Sequence, residues 1–262
     1  MSTLGGYAVC GAGPDTVLLL HGVGGDGSSW NRQKAAIVGA GWRHVALDCP
    51  GYGGTPLPKR LGWAEMRQAA LAALDALGVE RAVLLGHSMG GMLAQEIAAH
   101  APDRVRALIL SATSPAFGKP DGDWQRDFLA ARLKPFDDGL SMPAFAEAFV
   151  PQMVGSAADG AGVAEAARCM ANVPVATYRA ALETLVTFEG RPHLAKIAVP
   201  TLLIAGEEDD NAPLPVMQKM ASKIARATLA TLPGIGHLAN FEATGAFNDA
   251  VLSFLNTLRG DT

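Results

Sequence analysis

The sequence predicts an α/β fold, a mostly parallel, doubly wound sheet with helices on both faces. Three observations predict it. Short apolar runs alternate with amphipathic segments, the runs are apolar at nearly every position, as in strands covered on both sides, and 262 residues suffice for one large domain. In chain order, residues 16–20 (Thr-Val-Leu-Leu-Leu) form the first such run. Residues 44–48 follow and stop at Cys49-Pro50-Gly51. The helical spacing of residues 63–77 leads to a strand at 81–85, and residues 89–100 supply the next helix before a strand at 105–110. After a long break come a strand at 199–205, a helix at 215–224, a strand at 228–232 ended by Pro233-Gly234, and a closing helix at 243–258.

The break covers residues 114–191, which are rich in Ala, Met and Phe at helical spacing and offer no convincing strand. Pro115, Gly118 and Pro120 punctuate its start, and Gly190, Pro192 and Pro200 its end. The chain therefore divides into a core of residues 1–113 and 192–262 and a helical insertion of residues 114–191.

Composition narrows the function classes. A net charge of -4 with 18% charged residues gives no broad field for nucleic acid, so a small-molecule substrate is expected and no nucleic-acid partner. Cys10, Cys49 and Cys169 are far apart and lack metal or redox spacing, which reads as reduced thiols in a cytoplasmic protein with no metal. Residues 1–6 carry no basic leader, and no apolar run approaches the roughly 20 residues that span a bilayer, so no membrane partner is expected. The sequence does not distinguish a monomer from a homo-oligomer.

The segment Gly86-His87-Ser88-Met89-Gly90-Gly91 places Gly-x-Ser-x-Gly directly between an apolar strand and a helical run. A serine on that turn is lifted out of the chain, glycines on either side remove colliding side chains, and the helix N-terminus favours a developing oxyanion. Taken alone, the motif could be a tight turn whose serine caps a helix; its setting points to a nucleophile. This elbow resembles that of the α/β-hydrolase superfamily, and specifically its cofactor-free esterase, lactonase and perhydrolase-like branch. The similarity runs through His21-Gly22, Asp48-Cys49-Pro50-Gly51-Tyr52-Gly53, the elbow, Gly206-Glu207-Glu208-Asp209 with Pro213, and Gly234-Ile235-Gly236-His237. The run Ser88-Met89-Gly90-Gly91-Met92 is similar to that of enol-lactone hydrolases. The resemblance implies an α/β-hydrolase sheet with a helical lid inserted after strand 6, catalysis without a cofactor, and residues 114–191 as the lid.

A serine hydroxyl is too weakly acidic to attack unaided, so a base must accept its proton and an acid must orient the base. Of six histidines, His237 sits in a glycine loop after the last strand, from which a side chain reaches across the sheet's carboxyl edge. His87 lies inside the elbow and is expected to point away from the serine hydroxyl, while His44, His100 and His193 have ordinary structural settings. The acid belongs on the loop after the strand at 199–205, which offers Glu207, Glu208, Asp209 and Asp210. The resemblance picks Asp209, which matches the family's Gly-x-x-Asp-x-x-x-Pro pattern; Asp210 is the alternative.

The resemblance also assigns the backbone N–H groups of Val23 and Met89 to an oxyanion hole. The same loop, Gly22-Val23-Gly24-Gly25-Asp26-Gly27, satisfies G-x-G-x-x-G, with Asp48 at the end of the next strand. A nicotinamide-dependent dehydrogenase is thus a rival, although it leaves Ser88, Asp209 and His237 unexplained. His21 and the insertion's Trp124, Phe128 and Phe145 are expected to line an apolar substrate pocket, while Arg126, Arg132 and Arg168 read as solvated surface or as a greeting for a substrate carboxylate. Together these features lead to hydrolysis of a small carboxylic ester or lactone through an acyl-enzyme. Cleavage of a carbon-carbon bond in a ring-cleavage dienoate and a ligand-binding protein with a hydrolase pocket are the alternatives.

Overall fold

The computed structural model describes residues 6–118 and 122–259. The leader reading of residues 1–5 and the turn residue Pro120 lie outside the described residues. Among the described residues seven strands form one sheet: β1 (Gly6–Cys10), β2 (Thr16–Leu20), β3 (Arg43–Asp48), β4 (Ala82–His87), β5 (Val105–Ser111), β6 (Thr201–Gly206) and β7 (Ala227–Leu232). Their order is β1-β3-β2-β4-β5-β6-β7, and every neighbouring pair is parallel except β1 with β3. The helices that precede the break are α1 (Asn31–Gly39), α2 (Trp63–Ala76) and α3 (Met89–His100). Between β5 and β6 come α4 (Asp123–Asp137), α5 (Met142–Phe149), α6 (Gly160–Ala171) and α7 (Val175–Leu185). Helices α8 (Leu214–Ala221), α9 (Ala239–Glu242) and α10 (Thr244–Thr257) complete the chain.

The central strands β2, β4 and β6 are buried at every position, which is why their sequences are continuously apolar. Alternate side chains enter two separate cores. Leu18, Leu20, Leu84, Leu108 and Leu203 meet Met66, Leu74, Leu93 and Met217 of α2, α3 and α8. Val17, Leu19, Val83, Leu85 and Ile204 meet Ile37, Phe247, Val251 and Leu255 of α1 and α10. The sheet is therefore doubly wound.

Elements not read in the sequence include β1, α1 and the four-residue α9. Strand β1 is a half-exposed edge element whose existence depends on antiparallel pairing with β3, and α1 turns only Gln33 and Ile37 into the core. The helical stretch α4–α7 follows the fifth strand of the chain rather than the sixth, because a single strand, β1, closes that edge ahead of β2. Its two ends are tied together: Ala116 bridges Glu189, Phe117 N–H donates to Phe188 O at 3.1 Å and Gly190 N–H to Pro115 O at 2.7 Å. Registers such as Leu20 with Gly86, His87 with Ser111 and Gly206 with Leu232 bring the loops after these strands to one edge of the sheet.

Candidate active site

At that edge the elbow is held in a costly backbone conformation. Ser88 has φ 52°, in the left-handed region that residues with a Cβ avoid. The positions two residues to either side must be glycine: a Cβ on Gly86 would lie 2.2 Å from Gly90 O, and one on Gly90 would lie 2.0 Å from Leu20 O. Two hydrogen bonds fix the turn, Ser88 N–H to Ser111 O at 2.9 Å and Thr113 Oγ1–H to Ser88 O at 2.7 Å.

The structure brings Ser88, His237 and Asp209 into one line. His237 Nε2 is 3.1 Å from Ser88 Oγ, and Nδ1 is 2.9 and 3.1 Å from the two Asp209 carboxylate oxygens. With Nδ1–H donating to the carboxylate, Nε2 is free to accept the serine proton. Asp209 is 3% exposed; its Oδ1 also accepts the N–H groups of Asn211 at 2.8 Å and Ala212 at 2.9 Å. Burial alone would push its carboxyl up, but the neighbouring His237 and these donors outweigh it and hold the group below the usual carboxylate range. Asp210 stays exposed and does not meet His237. The loop's other acids have separate work: Glu207 accepts Gly234 N–H at 3.3 Å, and Glu208 accepts the N–H and Oγ–H of Ser156, each at 2.7 Å. Both are exposed, and they tie this loop to the histidine loop and the helical segment.

Glu242 was missed by sequence reasoning. Its buried carboxylate accepts three backbone N–H groups: Gly155 and Gly236 at 2.8 Å, and Leu238 at 2.7 Å. It thereby braces both sides of His237. The only trace in the sequence is a carboxylate five residues past a candidate base, which has no meaning until the loop folds back.

The loop after β2 is braced as firmly. His21 Nε2 accepts Cys49 N–H at 3.1 Å, Nδ1–H donates to Gly22 O at 2.8 Å, and the ring lies 4.5 Å from that of Tyr52, whose hydroxyl donates to Val23 O at 3.1 Å. His21 thus touches the cavity wall, but both its nitrogens are spent on backbone. The Val23 N–H binds no protein acceptor among the described residues, and Met89 opens α3, where first-turn N–H groups lack intrahelical partners.

A cavity of about 240 Å³ lies over Ser88. Trp124 and Phe128 line it as expected; Phe145 does not. The Phe145 ring instead lies 5.1 Å behind Phe149, which is in the wall, because α5 turns that face onto Phe136 and Tyr178. His87 makes no hydrogen bond to the Ser88 hydroxyl among the described residues; its ring sits in the cavity wall, 5.0 Å from that of His237, where the elbow carries it against the Gly22 loop. Burial, with the nearby His237 adding to it, pushes the His87 pKa down to about 3. The acid that a dinucleotide-binding loop would use is engaged elsewhere, since Asp48 accepts Gly27 N–H at 2.7 Å.

A strained serine elbow on a parallel sheet, facing a histidine and an acid from later loops, defines a hydrolase-type site, and the family is shown directly. A model of the alpha/beta hydrolase family matches residues 17–250, and the chain belongs to that family. A relative from Variovorax paradoxus, named as a candidate carbamate hydrolase RutD, is 33% identical over 257 residues, covering 95% of both chains. A 2-hydroxy-6-oxononadienedioate/2-hydroxy-6-oxononatrienedioate hydrolase from Dechloromonas aromatica is 29% identical, covering 95% of this chain and 89% of the other. Among solved structures, the enol-lactonase from Burkholderia xenovorans superposes with a TM-score of 0.84 at 26% identity, with 96% of each chain covered. Among the described residues no group of three metal-ligating side chains could hold an ion, and no helix is long and apolar enough to cross a membrane.

Proposed function

We propose that this protein hydrolyses a small carboxylic ester or lactone through an acyl-enzyme formed on Ser88. The observation that carries the reading is the continuous path from Ser88 Oγ through His237 to buried Asp209, at 3.1 and 2.9 Å. His237 Nε2 takes the hydroxyl proton as Oγ attacks the carbonyl carbon, and the Val23 and Met89 N–H groups stabilise the oxyanion. The proton passes to the leaving alkoxide, which departs as the alcohol. Water then gives its proton to His237, attacks the acyl carbon and releases the acid as the proton returns to Ser88. Asp209 keeps Nδ1 protonated and stabilises the imidazolium that forms between the two transfers. Residues 114–191 act as the lid, supplying Trp124 and Phe128 to the apolar wall and screening the acyl-enzyme from premature water.

The test is a panel of p-nitrophenyl esters and simple lactones, run on the wild-type protein and on Ser88→Ala. Loss of three or more orders of magnitude in kcat on the substitution supports the mechanism, and equal turnover in both proteins removes Ser88 from it. Carbon-carbon bond hydrolysis is a second reading, favoured by the name of the Dechloromonas aromatica relative. Bleaching of a coloured ring-cleavage dienoate, with esters left intact, would make it the first.

A further inference from the structure

Three arginines of the helical segment are candidates for meeting a substrate, and their surroundings separate them. Arg126 pairs with Asp123 on the outer face of α4, and Arg168 is exposed on α6. Arg132 lines the cavity over Ser88. Its guanidinium carbon lies 3.9 Å from the centre of the Phe149 ring and 5.4 Å from that of Phe128, so two aromatic faces hold it in place. Beside it stands Tyr178, whose hydroxyl is pushed up to about 12 by burial, with Arg132 opposing the rise. The phenol therefore stays protonated and can donate.

Nearby cations that point outward have found carboxylates: Lys134 with Asp138 and Arg179 with Asp137. Arg132 has none among the described residues. A half-buried guanidinium in an apolar wall is poorly served by a neutral occupant, which displaces water without replacing its hydrogen bonds. A carboxylate answers it with two parallel acceptors and opposite charge. The cavity's acidic side chain among the described residues, Asp210, is on a different wall, the loop after β6, so the field across the cavity has a direction.

We propose that Arg132, assisted by the Tyr178 hydroxyl, binds a carboxylate carried by the substrate away from its scissile bond. The molecule hydrolysed is then an anion, such as the half-ester of a dicarboxylic acid or a lactone with a free carboxylate. The hydrolytic step rests on the function proposed for Ser88, but recognition of the carboxylate can be read without turnover.

Calorimetric titration of the Ser88→Ala protein with monomethyl adipate and with uncharged dimethyl adipate measures the preference for the anion. The expected ratio of affinities favours the half-ester, falls tenfold or more when Arg132→Met is added, and is intermediate with Arg132→Lys, which keeps the charge and loses the fork. Retained binding of the dimethyl ester reports that each variant is folded. The same ratio in the Arg132→Met protein, or no binding of monomethyl adipate to the Ser88→Ala protein, overturns the proposal. Absence of hydrolysis by the wild-type protein would instead count against the role given to Ser88 and leave the titration to stand by itself.

Discussion

Replacing His87 by Gln tests how the elbow tolerates acid. The imidazole is 7% exposed, and its Nδ1 has no hydrogen-bond partner among the described residues. Its pKa falls from the ordinary 6.5 to about 3, mainly through burial and then through the charge that His237 can carry. The unfolded chain therefore takes up a proton near pH 6.5 that the folded chain refuses, and stability drops as pH falls below that value. From 6.5 to 4 is 2.5 pH units, and one proton at about 1.4 kcal/mol per unit gives at most about 3.5 kcal/mol, or about 3 kcal/mol between pH 7 and 4 once the gradual titration around 6.5 is counted. Gln cannot titrate, so this part of the acid sensitivity vanishes from the variant. Urea unfolding of both proteins between pH 7 and 4 supplies the assay. The stability difference, wild type minus variant, should drift by about 3 kcal/mol over that range, since His21, Asp209 and every other titrating group is common to both proteins. A flat difference would refute the burial argument, and a drift of opposite sign would mean that the folded state binds the proton.

Two further substitutions probe the frame. Glu242→Gln sets an amide NH₂ against at least one of the backbone N–H groups that the carboxylate now accepts, so a stability loss of about 2 kcal/mol is expected in urea unfolding. Because the loop it braces carries His237, kcat should fall more than KM rises; an unchanged kcat would show that the brace is dispensable. Ala112, in the cavity wall at the end of β5, has φ 46°, where a Cβ costs about 1 kcal/mol or more. Ala112→Gly relieves that strain while loosening the unfolded chain, so thermal unfolding should show no loss or a gain of up to about 1 kcal/mol, and a clear loss would contradict the strain.

Much of this was legible because it is local. Val83 to Gly91 carries strand, turn and helix in nine consecutive residues, so the elbow and its glycines follow from near-neighbour sterics. The positions of His237 and Asp209 after their strands follow from the order in which a parallel sheet is wound. Strand β1 was not legible, since its pairing partner lies more than 30 residues away and its own sequence buries little. Nor could spacing separate Phe149 from Phe145 as the cavity's wall, because both face inward on one short helix and the choice depends on what α4 and α7 bring to meet them.

The sequence by itself determined the doubly wound architecture, the strained serine and the kind of group that could assist it, since apolar runs and glycine sterics act over a few residues. Tertiary structure decided which of four clustered acids meets the histidine, that Glu242 holds the loop in place, and that one arginine of three faces the cavity. Those outcomes depend on distances between segments far apart in the chain, and a carboxylate or guanidinium has the same local signature whether it is solvated, paired or turned toward a ligand.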